Sequence, residues 1–163
     1  MDETKNKQLV LEELRKVLDK KFLASDALDG KLQNMLNFLS IVVTVVPTLQ
    51  LLAGTQLDFS GVIFVLMLMV VLLLYFSAFR QVVSTVRPVA YRQPISKDWD
   101  ELSARYFHGT EEDVLKLTIS EYLISSQNAD EQNDRKMIAV RNVGTLMFWI
   151  VILLLLAVPV NLL

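Results

Sequence analysis

Three stretches of this chain carry no charge at all: Leu32–Gly54, Val62–Phe79 and Val143–Val160. Each is close to the roughly 17–25 residues that a helix needs to cross a bilayer core of about 30 Å. A soluble helix that is oily all round needs a large protein to bury it, and a chain of 163 residues cannot supply that cover three times. The runs therefore predict an all-α integral membrane protein with three transmembrane helices and cytoplasmic amphipathic helices.

The distribution of lysine and arginine orients those spans. Seven basic residues lie in 1–33 and nine in 80–141, which accounts for all sixteen. The loop between the first two spans has none, and none follows the third. The positive-inside rule then places the N-terminus and the 80–142 segment in the cytoplasm and the C-terminus outside. That assignment demands an odd number of crossings, in agreement with three. The expected layout is a cytoplasmic N-terminal helix in 1–31, a hairpin in 32–80 with spans 32–54 and 62–79, a cytoplasmic helical segment in 81–142, and a third span in 143–163. The first run is not expected to be a signal peptide, because a charged helical segment precedes it and a second span follows closely.

Several function classes are disfavoured. The chain has no cysteine and one histidine, His108, so the usual zinc sites are excluded. His108 stands beside Gly109 at an expected helix end, where a histidine complements the helix dipole. Five scattered glycines form no phosphate loop. The spans hold no acid of the kind that proton-coupled transport uses. A net charge of −2 argues against a nucleic-acid surface. Neither an enzyme nor a cofactor or metal is expected.

Residues 4–24 read as an amphipathic helix, with Leu11, Leu14 and Leu18 at coiled-coil-like spacing. It either packs on other cytoplasmic segments, oligomerises, or lies on the membrane. The polar stretch Ser25–Lys31 is either a break or a turn of one long helix, and Lys31 can neutralise Asp26 or Asp29. Residues 86–96 hold two X-Pro steps and predict an extended connector. A short helix is expected from Ser96 to about His108. Thr110 followed by Glu111, Glu112 and Asp113 is a helix start. That helix is expected to run through Arg141 into the third span, with Val114, Leu117, Tyr122, Leu123 and Ile124 as its first apolar face and Asn128–Lys136 as a solvated stretch.

The first span carries a polar stripe. With Asn37 as zero at 100° per residue, Gln33 falls at about −40°, Ser40 at about −60°, Thr44 at about −20° and Thr48 at about +20°. Small hydroxylated residues let helices approach closely, and Thr44 or Thr48 can serve the Val43 carbonyl that Pro47 frees. The same face, turned inward in an oligomer, would make an uncharged pore lining. Both readings stand. Asp29, Lys31, Arg135, Lys136 and Arg141 form a candidate ligand or partner surface close to the membrane.

The order Asp26…Asp29-Gly30-Lys31, hairpin, proline-bearing connector, then Tyr122…Asn128…Arg135-Lys136…Arg141 leading into a last span resembles the small membrane effectors of bacterial anti-phage defence, the Pycsar transmembrane effectors and SLATT-type proteins. The resemblance covers about residues 25–163. It implies a homo-oligomer in the bacterial inner membrane that permeabilises the bilayer on a cyclic-nucleotide signal. Asp29, Lys31, Arg135 and Lys136 would then stand where a signal acts. No nucleotide pocket is recognisable, so the trigger is open between a nucleotide, a cytoplasmic protein and none at all. The alternative function is a non-enzymatic membrane scaffold or accessory subunit that docks a cytoplasmic partner.

Overall fold

The computed structural model describes residues 3–52, 59–86 and 110–160, with side chains for 5–48, 61–86 and 110–157. All described elements are helices: α1 (Glu3–Leu52), α2 (Phe59–Val86) and α3 (Glu111–Val160). The predicted 86–96 connector, the short helix ending near His108, and the tip of the hairpin lie outside the described residues.

Two helices are longer than their apolar runs. Ser25–Lys31 is a turn inside the single 50-residue α1, and α3 likewise runs unbroken from Glu111 to Val160. Thr110 caps α3. Its Oγ1 accepts from the Asp113 amide at 3.3 Å and donates to Asp113 Oδ2 at 2.6 Å, while Glu111, Glu112 and Asp113 complement the dipole.

The chain divides into two units: Met1–Ala27 with Pro88–Arg135, and Leu28–Arg87 with Lys136–Leu163. In the first unit, α1 and α3 run parallel. Lys7 bonds Glu112 and Lys21 bonds Asp130, separations of 105 and 109 residues, so the partners advance together along both helices. Arg15 stacks over the Tyr122 ring at 5.7 Å. Apart from Leu18, the buried positions here are small, and most are hydroxylated: Ser25, Thr118, Ser125, Ser126 and Ala129. The expected apolar face of α3 is thus corrected. Leu123 and Ile124 are exposed, while Thr118 and Ser125 take the interior. Spacings of 118, 122, 125 and 129 follow a 3.5-residue period, which places alternate turns on a parallel partner.

The second unit is a conventional apolar bundle. Leu32 and Leu39 of α1, Val71, Ala78 and Val82 of α2, and Ala139, Val143, Ile150 and Leu154 of α3 form one buried cluster. Phe64, Val71 and Ala78 recur every seven residues, and so do Val143 and Ile150. Alanine at 78, 139 and 157 lets the backbones approach, as membrane helices favour. Ser40 lies twelve residues before the end of α1 and Tyr75 sixteen after the start of α2, and the two touch, as an antiparallel hairpin requires.

Among the described residues, two helices are long and apolar enough to cross a membrane: Gly61–Val86 and Glu111–Ala157. Only 17% and 22% of their apolar windows are buried, unlike the core helix of a soluble protein. Both are compatible with a membrane location. The side chains of the third expected span, in α1, are described only as far as Thr48, and those of the rest of its apolar run lie outside the described residues.

Candidate functional site: the outward polar stripe of α1

The packing of the second unit decides which way the stripe looks. On the wheel that puts Asn37 at zero, the buried Leu32 and Leu39 and the packed Val46 fall between about 180° and 220°. The stripe is centred near −20°, about 140° away. Gln33, Asn37, Thr44 and Thr48 are accordingly exposed, and Ser40, the member nearest the core side, is half-buried. Within one chain the stripe is therefore not the seam that holds the three helices together.

Ser40 is the exception because it reaches α2. Its hydroxyl donates to the Leu36 carbonyl at 2.8 Å, and its Oγ lies 2.9 Å from the Tyr75 hydroxyl. With the serine proton committed to Leu36, the tyrosine O–H is the donor. Thr44 donates to the Ser40 carbonyl at 2.7 Å and Thr48 to the Thr44 carbonyl at 2.6 Å. Neither serves Val43, as the proline argument had led us to expect. The i−4 carbonyl lies directly below a helical threonine, and it is the acceptor each hydroxyl reaches. This leaves both threonines presenting a methyl group and free acceptor lone pairs outward. Asn37 and Gln33 present whole amides. An amide in hydrocarbon without a partner costs several kcal/mol, on the order of 4–8 in a solvent that cannot hydrogen-bond.

The charged candidates separate into two groups. Asp29 and Lys136, both in the second unit, form an ion pair of 2.5 Å, with side-chain exposures of 29% and 6%. Asp29 therefore pairs with Lys136 and not with Lys31, which is exposed. The second carboxylate oxygen of Asp29 is buried without a partner among the described residues. Lys31, Arg135 and Arg141 remain at the surface. Of these five residues, the structure pairs one cation, Lys136, with one anion, Asp29.

The first unit holds a polar cluster that the sequence reading did not single out. Lys21 Nζ donates to Ser126 Oγ at 2.6 Å, to the Ser126 carbonyl at 3.3 Å and to Asp130 Oδ2 at 2.6 Å. Asn133 Nδ2 donates to the Lys21 carbonyl at 3.0 Å. The stretch expected to be solvated thus contributes to an interior, with Ala129 buried and Asn133 half-buried. The available signal was the heptad continuation Leu11, Leu14, Leu18, Lys21, Ser25, which keeps its spacing while turning polar. Further along this unit, Glu112 lies between Lys116 at 2.7 Å and Lys7 at 2.9 Å. Those two ammonium groups, Lys116 foremost, hold its carboxyl down to about 2. Lys16 lowers Glu13 in the same manner across a 2.8 Å pair, and Glu13 raises Lys16.

Among the described residues no group of three or more His, Cys, Asp or Glu side chains is placed to hold a metal ion. No protein family, curated protein or solved structure matches the chain.

Proposed function

We propose that the chain is a three-span membrane effector, N-terminus in the cytoplasm, that self-associates and permeabilises the bilayer with the polar face of α1 turned to the opening. One observation carries this reading: Asn37, Thr44 and Thr48 are exposed on a three-helix unit whose other exposed residues, among those described, are mostly apolar. Such a face is poorly solvated by lipid tails, and either water in a lumen or a second protein surface relieves the mismatch. Three helices enclose no channel, so a lumen needs several copies. The parallel run of α1 and α3 in the first unit supports the topology, because both helices then enter the membrane from the same side. The continuous α1 and α3 provide the lever through which a cytoplasmic signal, a cyclic nucleotide or a protein, reaches the spans. The bacterial inner membrane and a role in anti-phage defence rest on the layout resemblance alone.

The test is uptake, after induction in bacteria, of a dye that intact inner membranes exclude. Leakage that disappears in Thr44→Leu/Thr48→Leu at equal expression supports the reading. Leakage unchanged in the double variant rejects the pore face. Harmless overexpression of a monomer that copurifies with a single partner favours the scaffold alternative.

A further inference from the structure

Each helix of the second unit carries one exposed cation at the end of its apolar run: Lys31 on α1, Arg80 on α2 and Arg141 on α3. No charge occurs from there to Leu52 in α1, back to Phe59 in α2, or on to Val160 in α3. At 1.5 Å per residue these runs measure roughly 28–32 Å, the thickness of a bilayer's hydrocarbon core. Two contacts set the arginines at one height. Tyr75 meets Ser40, and Arg80 follows Tyr75 by five residues in the antiparallel α2. Lys136 meets Asp29, and Arg141 follows Lys136 by five residues in α3. There α3 runs parallel to α1, since a Cβ on Gly144 would meet Met35 Cε at 3.4 Å, further along both helices. Arg80 thus stands opposite residue 35 of α1 and Arg141 opposite residue 34, within one turn of the same level. Lys31 lies one turn before them on α1.

These cations are unbalanced. The one acid among the described residues of this unit is Asp29, and it is paired with Lys136. Lys31, Arg80 and Arg141 have no hydrogen bond or ion pair among the described residues. We infer that Arg80 and Arg141, with Lys31 beside them, bind the phosphates of anionic phospholipids in the cytoplasmic leaflet, and that the chain selects such lipids over zwitterionic ones.

The placement of the arginines favours a lipid over a soluble phosphate. Arg80 falls about 170° from the centre of the buried face made by Val71, Ala78 and Val82, and Arg141 about 170° from that of Ala139, Val143 and Ile150. The two guanidinium groups therefore diverge on separate flanks of the bundle, where no single small anion reaches both. A leaflet presents phosphates all round the bundle at one height, and the cytoplasmic leaflet carries the negative charge. A guanidinium fork matches phosphate oxygens two at a time. The tails are provided for as well. On both helices an exposed phenylalanine shares the arginine's face on the apolar side, Phe76 four residues from Arg80 and Phe148 seven from Arg141. An acyl chain thus continues along an apolar surface from a headgroup held at the arginine.

The inference rests on the membrane insertion in the proposed function, and not on self-association or leakage. The experiment is native mass spectrometry of the full chain in a non-ionic detergent, with equimolar phosphatidylglycerol and phosphatidylcholine of the same acyl chains. Bound phosphatidylglycerol should exceed phosphatidylcholine by about fivefold or more, the order that one basic residue gives against an anionic surface. In Arg80→Gln/Arg141→Gln the ratio should fall to within about twofold of unity. Lys5→Gln/Lys20→Gln removes the same charge from exposed positions of the first unit and should leave the ratio unchanged. Inorganic phosphate, against chloride of equal ionic strength, should also leave it unchanged. Equal retention of the two lipids by the parent chain overturns the inference, as does a preference that survives in Arg80→Gln/Arg141→Gln or drops equally in Lys5→Gln/Lys20→Gln. A preference abolished by phosphate but not by chloride overturns it in favour of a free-anion site. Retention of neither lipid overturns it together with the membrane reading, whereas equal retention of both leaves that reading standing.

Discussion

Lys136 of α3 holds its ammonium 2.5 Å from the Asp29 carboxylate of α1, and the lysine is almost completely buried. The pair sits at the start of the apolar bundle, 107 residues apart in sequence, between two helices whose buried contacts in this unit are hydrocarbon. Such a pair contributes less to net stability than its geometry suggests, because desolvation offsets much of the attraction. Removing one partner is another matter, since the survivor keeps the desolvation cost.

Asp29→Leu is therefore expected to destabilise the protein by about 2–3 kcal/mol, somewhat under the usual 3–5 because Asp29 retains some solvent. Asp29→Leu/Lys136→Leu should recover most of that loss. Thermal unfolding in detergent of the two singles and the double measures the cycle. A double variant no more stable than the worse single contradicts the assignment.

Ser40–Tyr75 is the one hydrogen bond from the stripe to another helix among the described residues. Tyr75→Phe should cost roughly 0.5–1.5 kcal/mol, the range for one hydrogen bond. Combined with Ser40→Ala it should cost less than the sum. Thr44→Val removes a bond to its own backbone at an exposed position, so its effect on stability should stay within about 0.5 kcal/mol. Equal losses for Thr44→Val and Tyr75→Phe would show that Thr44 is packed.

Gly30 lies inside α1, exposed, with nothing within 4 Å of where a Cβ would be. Gly30→Ala should raise stability by about 0.5–1 kcal/mol through helix propensity alone. At Gly144 a Cβ would meet the flexible Met35 Cε at 3.4 Å, so Gly144→Ala is tolerated while Gly144→Leu overpacks the bundle. A melting temperature lowered by Gly30→Ala would mean that α1 bends there.

Glu112 supplies the pH dependence. Its carboxyl is depressed from 4.5 to about 2 by Lys116 and then Lys7. A depressed acid stabilises the folded form above its ordinary value, and that contribution is lost as pH falls from 4.5 through about 2. Carboxyl chemical shifts should report a midpoint near the lower figure, rising toward 4.5 in Lys116→Ala and further in Lys7→Ala/Lys116→Ala. A parent midpoint already at 4.5 would mean that the exposed ion pairs do not persist in solution.

The helices were legible from composition because apolar runs and Thr110-Glu111-Glu112-Asp113 report local physics. The continuity of α1 was not, since Ser25, Asp26, Asp29 and Gly30 all weaken a helix and only packing on α3 overrides them. The ion pair was half legible. Asp29 and Lys136 were both singled out, but nothing local distinguishes Lys136 from Lys31 as the partner. The direction of the stripe was within reach: Leu32, Leu39 and Val46 repeat every seven residues, and that seam places Asn37, Thr44 and Thr48 on the far side. The polar interior around Lys21 and Ser126 was hidden because buried serine and solvated serine look alike in a sequence.

The most direct measurement is the water accessibility of single cysteines along α1 in native membranes, read with a membrane-impermeant thiol reagent. Asn37→Cys, Thr44→Cys and Thr48→Cys should react readily in leaking cells, while Leu39→Cys in the bundle core and Leu73→Cys on the exposed apolar side of α2 should not. Thr44→Cys as inert as Leu73→Cys, in cells whose membranes leak, would contradict the claim that α1 lines the opening.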